Sequence, residues 1–348
     1  MSIPIIIPAY EPDEKLVKLV NELNRADLKP IVVVNDGSDK DKFGDIFSEV
    51  REEGAVVLEH AVNMGKGRAL KTAFNYCLNQ YEDLKGVVTA DSDGQHTVED
   101  IRKCIDILAE NSDALVLGVR DFDESGIPAR SVFGNKVTRR IMRLLVGISI
   151  TDTQTGLRGI GADFIRYLLT EDGERFEFET NMLIATKDQG IKIIEVPIRT
   201  IYLEENKSSH FNPIVDSIRI YGIFLKFLFS SLSSSVVDMI MFSIFCAMFR
   251  NIPTAIGYIM LSTILARIIS AIYNFLINYK IVFKGKGNKV KAAVKYFLLA
   301  VCIMLLSGFF VTTGHGLFGG VPEIVVKVPV DCLLFLLSFI VQREVVYK

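Results

Sequence analysis

The C-terminal part of the chain contains four long apolar runs, and they constrain the fold more than any other feature. The runs cover about residues 224–249, 252–279, 296–318 and 324–342 of the 348-residue chain. A helix needs ~20 apolar residues to cross a bilayer, so each run is long enough to span one. The fourth run is the least regular, because Lys327, Pro329 and Asp331 interrupt it. We therefore predict an all-α transmembrane domain of four helices at residues 224–348.

The charges of the chain divide at the same place. Residues 223–348 contain 12 Lys or Arg and 4 Asp or Glu, whereas residues 1–222 contain 27 and 37. The net charge is thus −10 in the first part and +8 in the second. Such a contrast is typical of a water-soluble domain joined to a membrane domain. With hydrophobic residues at 50%, intrinsic disorder is excluded for most of the chain.

Loop charges and the N-terminus predict the orientation. The loop between the second and third runs contains Lys280, Lys284, Lys286, Lys289, Lys291 and Lys295. By the positive-inside rule this loop is cytoplasmic. The apolar stretch Ile3–Pro8 is too short for a signal peptide, and acidic residues follow it at once. We expect a multi-pass protein of the cell (inner) membrane, with the soluble domain and both termini in the cytoplasm.

The first half alternates short β-branched runs with amphipathic stretches. This alternation predicts an α/β fold with a mainly parallel sheet and helices on both faces. We place the soluble domain at 1–211, a juxtamembrane amphipathic connector at 212–223 and the membrane domain at 224–348. The predicted strands are Ile3–Ile7, Ile31–Val34, Ala55–Leu58, Val87–Ala90 and Ala114–Leu117, and the predicted helices are near 13–25, 40–53, 66–80 and 98–109.

Chemically useful residues follow the predicted strands, at the sheet edge where such folds bind ligands. Asp91-Ser92-Asp93-Gly94-Gln95 follows the fourth strand. In extended backbone Asp91, Asp93 and Gln95 project to one side, where their oxygens suit a hard cation such as Mg²⁺ or Mn²⁺. A plain Asp-Gly turn is the alternative for an isolated segment of this kind. Its position on the sheet favours the metal site.

Two further loops suit a nucleotide. In Asn35-Asp36-Gly37-Ser38, the Asp36 carboxylate can accept hydrogen bonds from a base or ribose, although an Asx turn explains the segment equally well alone. Asn63-Met64-Gly65-Lys66-Gly67-Arg68 opens a helix and suits an anion. It is neither a dinucleotide fingerprint nor a Walker A loop, so dinucleotide oxidoreductases and P-loop ATPases are excluded. The five cysteines lack C-x-x-C spacing and are expected to be reduced packing residues.

Together these segments resemble the inverting family 2 glycosyltransferases, in particular the polyprenyl-phosphate branch of dolichol-phosphate mannose synthases and bactoprenol glucosyltransferases. The resemblance covers about 1–211 and rests on Ile6-Ile7-Pro8-Ala9-Tyr10, Val34–Ser38, Asn63–Gly67, Asp91-x-Asp93 and Gln154-x-Gly156-Leu157-Arg158. It implies a GT-A fold, a nucleotide-sugar donor, a divalent ion on Asp91, Asp93 and Gln95, and a polyprenyl-phosphate acceptor. The expected donor-binding residues are Pro8, Ala9, Tyr10, Glu11, Asp36, Gly65, Lys66, Asp91 and Ser92.

The membrane domain is similar to the four-span GtrA family, proposed to move a lipid-linked sugar across the membrane. The similarity rests on Phe229, Leu232, Asp238, Tyr273-Asn274-Phe275, Asn278, Val282-Phe283, Ser338-Phe339 and Arg343. One departure is Asn278-Tyr279-Lys280, where the family more often has Asn-Arg or Asn-Lys. The predicted charges within the spans are Asp238, Arg267, Lys327 and Asp331. We expect Asp238 to pair with Arg267 and Lys327 with Asp331, whereas Lys327 near its helix end can also snorkel.

A phosphate acceptor explains the lack of an evident general base. A phosphate monoester is already anionic at neutral pH, so the site needs cations more than a base. Arg120, Arg130 and Arg158 are the candidates, with solvated surface arginine as the alternative for each. Glu179 resembles the family's position near the sugar, although a helix-surface carboxylate fits the pattern nearly as well. The pattern of segment 132–148 predicts a basic amphipathic helix, which suits an anionic membrane face. The alternative is a helix that packs on the sheet.

The preferred hypothesis is a metal-dependent hexosyltransferase for a cell envelope glycan, with UDP-glucose as the expected donor and a homo-oligomer as a possible state. Nucleic-acid binding is not expected. Processive polysaccharide synthases need a tryptophan in their acceptor motif, and this chain has no Trp. A lipid-linked sugar transporter with a regulatory nucleotide-sugar domain is a second class, which the Asp91-x-Asp93 pair disfavours. The third hypothesis is a transferase that is merely anchored by its membrane helices.

Overall fold

Two structural units make up the chain, Met1–Ile220 and Tyr221–Lys348. The computed structural model describes residues 2–120, 135, 139–140, 142–143, 147–199, 222–252, 258–283, 285, 288–317 and 323–347. Arg130 lies outside these residues, as do most of the predicted helix 132–148 and most of the connector 212–223. Their predicted roles therefore stay predictions.

A seven-stranded sheet forms the centre of the N-terminal unit. Its order is β3-β2-β1-β4-β6-β5-β7, and every neighbouring pair is parallel except those made by β6, which runs antiparallel to β4 and β5. In the centre Ile5 pairs with Ile31 and Ala9 with Asn35. The strands are β1 Ile5–Ala9, β2 Ile31–Asn35, β3 Val56–Glu59, β4 Gly86–Thr89, β5 Ala114–Arg120, β6 Arg158–Gly161 and β7 Lys192–Ile198.

Helices cover both faces of this sheet. The helices are α1 Glu14–Arg25, α2 Lys40–Glu52, α3 Lys66–Gln80, α4 Val98–Glu110, α5 Ala162–Leu168 and α6 Glu177–Gln189. Successive strand side chains point to opposite faces. Ile6 accordingly belongs to a core cluster with Phe74 and Phe178, whereas Ile5 belongs to a second cluster with Leu16. Buried on both sides, the strands are near-continuous aliphatic runs, as parallel sheets require.

The sequence predicts the first five strands and the first four helices to within a few residues, and the mainly parallel sheet is confirmed. Polar caps explain where three helices begin, because Asp13, Asp39 and Thr97 accept hydrogen bonds from backbone amides in the first turn. Strand β6 was not predicted, since it has only four residues and begins with an arginine. Strand β7 was not predicted either, and it contains Pro197.

The C-terminal unit is helical, with α7 Gly222–Phe249, α8 Tyr258–Ile277, α9 Lys289–Leu317 and α10 Glu323–Val341. Within the described residues three segments are long and apolar enough to cross a membrane: Leu225–Phe249, Ile264–Val282 and Lys289–Ser307. Helix α10 is not among them, and Pro329 and Asp331 interrupt its apolar run. A helical membrane domain is therefore confirmed, whereas the prediction of four spans is not.

Two π-helical turns end α8 and α10, at Asn278–Val282 and Gln342–Val346. Each begins with a buried amide side chain, and Asn278 Nδ2 donates to Gln342 Oε1 at 3.0 Å. The rings of Phe283 and Tyr347, which follow the two turns, stack with centroids 5.0 Å apart. The helix end around Asn278, where the sequence departs from the GtrA pattern, is therefore wound as a π turn and bonded to its counterpart.

Candidate functional site

The loops after β1 and β2 are joined at the carboxyl edge of the sheet. The backbone amide of Asp36 donates to the carbonyl of Ala9 at 2.9 Å, and the amide of Glu11 donates to Ser38 Oγ at 2.9 Å. Asn35 Oδ1 in turn accepts from the amide of Ser38 at 2.9 Å. The predicted segments Pro8–Glu11 and Asn35–Ser38 therefore form one surface.

Asp36 ties this surface to the glycine-rich loop before α3. Its carboxylate accepts from the amides of Met64 at 2.9 Å and Gly65 at 2.7 Å, and it contacts His60 Nδ1 at 2.7 Å. His60 Nε2 lies 2.9 Å from Thr72 Oγ1 on α3. Asp36 is buried, and three groups of the protein already use its oxygens. The Asp36 carboxylate therefore holds the glycine-rich loop in place. Its direct contact with a base or ribose stays a prediction.

Gly65 turns the chain into α3 in a conformation that requires glycine. Its φ is +101°, and a Cβ there would lie 2.5 Å from Arg175 Cγ and 2.6 Å from the carbonyl oxygen of Glu174. The next residue, Lys66, is the first residue of the helix. The conformation of Gly65 therefore fixes the position of Lys66 at the carboxyl edge of the sheet.

Lys66 lies between two carboxylates from distant parts of the chain. Its Nζ is 2.7 Å from Asp91 Oδ1 and 3.0 Å from Glu179 Oε1. Burial alone lowers the pKa of this lysine, but the two carboxylates outweigh burial and raise it well above its ordinary value. Burial likewise raises the pKa of Asp91, and Lys66 and His96 together hold it well below its usual range. Lys66 is therefore positively charged and Asp91 negatively charged at neutral pH.

Arg158 contacts Glu179, one of the two carboxylates that pair with Lys66. Its Nη1 donates to the backbone carbonyl of Glu179 at 2.6 Å, its Nε donates to the carbonyl of Thr155 at 2.9 Å, and its Nε lies 3.9 Å from Glu179 Oε1. Burial lowers the pKa of this arginine, and nearby carboxylates oppose the effect. The side chain is only 1% exposed. Arg158 thus positions Glu179, and this burial disfavours its predicted contact with a phosphate.

Asp93 and Gln95 lie in a tight turn beside Asp91, so the prediction of extended backbone over Asp91, Asp93 and Gln95 is wrong. Gly94 has a φ of +78°, and Asp93 Oδ1 accepts from the amide of Gln95 at 3.0 Å. Burial and the neighbouring charge of Asp91 raise the pKa of Asp93. A divalent cation would relieve that repulsion, and carboxylate and amide oxygens are the donors it prefers. The residues present therefore fit the predicted ion, although the described part of the chain contains no cluster of three His, Cys, Asp or Glu side chains suited to a metal.

Arg120 forms an ion pair that the sequence did not predict. Its Nε donates to Asp152 Oδ2 at 2.7 Å and its Nη2 donates to Asp152 Oδ1 at 3.2 Å, while Asp152 is fully buried. This bidentate geometry is the one that arginine also uses for phosphate. The protein's own carboxylate takes that side of the guanidinium, so the predicted phosphate contact of Arg120 stays a prediction.

The loop before α6 covers the start of α3. The amide of Arg68 donates to the carbonyl of Glu174 at 2.9 Å, and Lys71 Nζ donates to the carbonyls of Glu171 at 2.6 Å and Gly173 at 2.9 Å. The buried ammonium of Lys71 also lies 4.9 Å from the centre of the Phe178 ring. One amide at the helix N-terminus is therefore used by the chain itself. An anion at this edge would meet Lys66 more directly than the helix backbone.

Several partners at the site come from segments that the sequence did not single out. They are His60, Asp152, Glu174 and Arg175. Gly156, which the sequence did single out, approaches Asp91 so closely that a Cβ would lie 2.1 Å from Asp91 Oδ2. His96 Nε2 lies 3.4 Å from Asp91 Oδ2. In this part of the chain the sequence singled out Gln154, Gly156, Leu157 and Arg158, but not Asp152.

The intramembrane charges are partly paired. Arg267 Nε lies 3.7 Å from Asp238 Oδ1, as the sequence predicts, and Ser270 Oγ donates to Asp238 Oδ1 at 2.9 Å. Asp331 Oδ1 accepts from Ser307 Oγ at 2.6 Å. The side chain of Lys327 lies outside the described residues, so its pairing with Asp331 stays a prediction.

Two family models match consecutive parts of the chain. The model described as Glycosyl transferase family 2 matches residues 5–168, and the model described as GtrA/DPMS, transmembrane domain, matches residues 226–347. The first match contains β1 through β6 and the loops with Asp36, Lys66 and Asp91. The second contains nearly all of the helical unit.

The chain is also similar to curated proteins and to solved structures. A UDP-N-acetylglucosamine–dolichyl-phosphate N-acetylglucosaminyltransferase from Methanococcus voltae is 31% identical over 61% of this chain and 90% of its own length. An undecaprenyl-phosphate mannosyltransferase from Micrococcus luteus is 27% identical over 62% of this chain and 90% of its own length. The structure of glucosyl-3-phosphoglycerate synthase from Mycobacterium tuberculosis with Mn²⁺, UDP and glucosyl-3-phosphoglycerate superposes with a TM-score of 0.48 and 16% identity, over 65% of this chain and 77% of that one.

Proposed function

Because the chain belongs to glycosyl transferase family 2 and carries a GtrA/DPMS transmembrane domain, we propose that it transfers a hexose from a nucleotide sugar to a polyprenyl phosphate. The mostly parallel sheet, followed by membrane helices, is the predicted GT-A architecture with its membrane domain. The observation that carries the proposal is the charged lysine between Asp91 and Glu179 at the ligand-binding edge of the sheet. The names of the two curated relatives support the lipid-phosphate acceptor.

The proposed reaction is a single displacement at the anomeric carbon. An oxygen of the lipid phosphate forms the new bond to that carbon, and the bond from carbon to the diphosphate breaks. The nucleoside diphosphate leaves with the electron pair, so the configuration inverts. Because the attacking phosphate is already anionic at neutral pH, no side chain has to take a proton from it. Glu179 is therefore not needed as a general base and can hold Lys66.

Lys66 supplies the fixed positive charge in this scheme. Its raised pKa keeps it protonated, and its position at the start of α3 is set by Gly65 and Asp36. A preorganised cation beside a leaving diphosphate stabilises charge where it develops. Asp91, Asp93 and Gln95 would hold the Mg²⁺ or Mn²⁺ ion. When bound, such an ion neutralises the diphosphate as a Lewis acid.

Donor and acceptor would use different parts of the site. We assign the nucleotide to Pro8, Ala9, Tyr10, Glu11 and Ser92, with Asp36 behind them. UDP-glucose is the donor that we expect.

The lipid phosphate is assigned to Arg120 and Arg130, with Asp152 fixing the guanidinium of Arg120. We place the reaction at the cytoplasmic face of the membrane. The membrane unit either anchors the enzyme or also moves the product across the bilayer.

A donor screen tests the proposal. The full chain in lipid nanodiscs is incubated with undecaprenyl phosphate and, in turn, UDP-, GDP- and dTDP-hexoses, with Mn²⁺ or Mg²⁺ present. Formation of a lipid-linked hexose with one of these donors is the expected result. If every donor fails while a radiolabelled nucleotide sugar still binds, the transporter with a regulatory domain becomes the better account.

A further inference from the structure

His60 directly follows β3 and has no role in the reaction proposed above. Its backbone amide donates to the carbonyl of Asn35 at 2.9 Å, so the pairing of β2 with β3 fixes the place of the residue. Its side chain is 7% exposed and lies against the side chain of Asp36, which is 4% exposed. Burying a polar ring is costly unless its nitrogens are hydrogen-bonded, so the contacts of the ring indicate its role.

Both ring nitrogens of His60 lie within hydrogen-bond distance of a side chain. Nδ1 is 2.7 Å from Asp36 Oδ1, and Nε2 is 2.9 Å from Thr72 Oγ1. Asp36 follows β2, whereas Thr72 belongs to α3. The imidazole ring therefore joins a carboxylate at the ligand-binding edge of the sheet to the helix that begins with Lys66.

The partners of Asp36 indicate which nitrogen carries the proton. The carboxylate also accepts from the backbone amides of Met64 and Gly65, at 2.9 and 2.7 Å. An ionised carboxylate only accepts hydrogen bonds, so the hydrogen between Asp36 and His60 belongs to Nδ1. A neutral ring with its proton on Nδ1 has a lone pair on Nε2, which can accept from the hydroxyl of Thr72.

The orientation of the Asp36 carboxylate matters for two parts of the candidate site. Through the amides of Met64 and Gly65 it holds the loop that places Lys66, and it lies behind the residues that we assign to the nucleotide. The His60 bond adds a side-chain partner to those two backbone partners. A hydrogen bond of this kind locks the rotamer of a functional side chain, and the position of the loop then depends on it.

We propose that His60 is a positioning residue for the nucleotide-sugar donor. With its proton on Nδ1 and the hydroxyl of Thr72 at Nε2, His60 orients Asp36 and, through Asp36, the glycine-rich loop before α3. It acts only through Asp36. The inference rests on the proposed transfer from a nucleotide sugar, because that reaction gives this edge of the sheet a donor to bind.

Steady-state kinetics of the full chain in nanodiscs test this role. The donor probe is UDP-glucose, or the hexose donor that the screen above selects, and the acceptor is undecaprenyl phosphate. We expect His60→Ala to raise the donor KM about tenfold, the effect of one lost hydrogen bond, and to leave the acceptor KM unchanged. A merely structural loss would reduce the amount of active protein and lower kcat at an unchanged donor KM. That result, or an equal rise of both KM values, would overturn the proposal.

His60→Asn and His60→Gln separate the two ring nitrogens. The amide of Asn reaches about as far as Nδ1 and can still donate to Asp36, whereas the longer Gln places its amide near the position of Nε2. We expect His60→Asn to restore most of the donor affinity and His60→Gln to behave like His60→Ala. Equal rescue by the two variants would overturn the assignment of the proton to Nδ1.

Thr72→Val and Thr72→Ser test the other end of the ring. Val keeps the shape of the side chain without the hydroxyl, and we expect it to raise the donor KM about threefold, whereas Ser should stay near wild type. Thr170→Val, at an exposed threonine just after α5, is the matched control and should leave the donor KM unchanged. If His60→Ala does not fold, the Thr72 variants carry the test, and an unchanged donor KM in a folded Thr72→Val protein overturns the proposal.

Nuclear magnetic resonance of the full chain reads the position of the proton. In protein labelled with ¹⁵N-histidine, the ring signals of His60 are those that disappear in His60→Asn, and they are recorded at mildly alkaline pH. We expect a protonated, pyrrole-type Nδ1 and an unprotonated, pyridine-type Nε2. The opposite tautomer, or a doubly protonated ring, would overturn the proposal.

Binding of the radiolabelled donor probe is measured beside transfer, so that the reaction and the role of His60 can fail separately. Binding that weakens in His60→Ala, without any transfer by the wild-type chain, would contradict the proposed reaction and support the role of His60. Transfer by the wild-type chain, with equal donor binding in wild type and folded His60→Ala, would overturn the role of His60 and leave the reaction intact.

Discussion

Lys66 is the residue on which the candidate site most depends. A buried charge is costly unless it is paired, and Lys66 is paired twice, with Asp91 and Glu179. Its removal would leave the carboxylates of Asp91 and Glu179 without the cation that they share. The same ammonium thus serves stability, by compensating buried carboxylates, and function, by presenting a positive charge to a leaving diphosphate.

We expect Lys66→Ala to lower the free energy of unfolding by about 1–3 kcal/mol, between the cost of losing an exposed ion pair and that of breaking a fully buried one, because Asp91 is 29% exposed. Lys40→Ala is the control, because the side chain of Lys40 is 82% exposed and its ion pair with Glu59 should contribute little. Urea unfolding of the two variants, followed by circular dichroism, measures the difference. A Lys66→Ala protein as stable as Lys40→Ala would mean that the pairing contributes nothing to stability.

Asp93 separates the metal hypothesis from the ion pair, since it makes no salt bridge with Lys66 within the described residues. We expect Asp93→Asn to lower transfer about a hundredfold and to shift the Mn²⁺ dependence to higher concentration. Asp163→Asn, at a fully exposed carboxylate on α5, is the control and should behave as wild type. An Asp93→Asn enzyme with the wild-type rate and Mn²⁺ dependence would contradict the assignment of the ion to Asp93.

At the scale of elements, local sequence signals were sufficient where the elements are regular. Aliphatic runs located β1 to β5, and amphipathic stretches located α1 to α4. These signals failed where tertiary contacts determine the secondary structure. An example is β6, a four-residue strand that lies between β4 and β5 in the sheet. They also did not reveal the π turns after α8 and α10, because those turns depend on amides that bond to each other across the unit.

Gly65, which precedes α3, gives a prediction about the backbone conformation at the start of that helix. Gly65→Ala should be destabilising and should reduce transfer, because its φ of +101° and the contacts with Arg175 and Glu174 leave no room for a Cβ. Gly44→Ala is the matched control within α2, where a Cβ meets nothing within 4 Å. That change should stabilise the protein by about 0.5–1 kcal/mol. Thermal unfolding compares the two, and equal effects would show that the Gly65 conformation is not required.

Helix α4 provides a prediction about pH. Burial raises the pKa of Asp100, but hydrogen bonds from Lys103, Thr97 and the amide of Arg199 outweigh it and lower the pKa overall. A lowered pKa in the folded state means that the stabilisation is complete above the unfolded value of ~3.9 and is lost as the pH falls through the folded value. Asp100→Asn should therefore cost about 1–3 kcal/mol at neutral pH and progressively less below pH ~4.

Hydrogen–deuterium exchange of α4 in the full chain measures this effect. Protection of α4 should fall in Asp100→Asn at pH 7, and the difference from wild type should shrink in acid. Asp106→Asn, at an exposed position of the same helix, should show neither change. A difference that is independent of pH would show that the charge of Asp100 is not what stabilises the helix.

At the scale of the whole molecule, the sequence predicts two parts, and the chain has two structural units, Met1–Ile220 and Tyr221–Lys348. Apolar runs and the charge division separate a soluble unit from a helical one without any three-dimensional information. The ion pairs of the candidate site could not be predicted in this way, because they join residues as distant in sequence as Lys66 and Glu179 or Arg120 and Asp152. Residue type nominated Arg120 and Arg158 as phosphate ligands, whereas the fold uses both guanidinium groups in contacts within the protein.

The chemical nature of the acceptor is the most direct test of the whole account. The full chain is given the active nucleotide sugar with undecaprenyl phosphate or, in a matched reaction, with undecaprenol, and lipid-linked sugar is quantified by mass spectrometry. The account predicts rapid glycosylation of the phosphate and none of the alcohol, because the site offers cations for an anionic nucleophile and Glu179 is engaged with Lys66. Equal glycosylation of the free alcohol would contradict it.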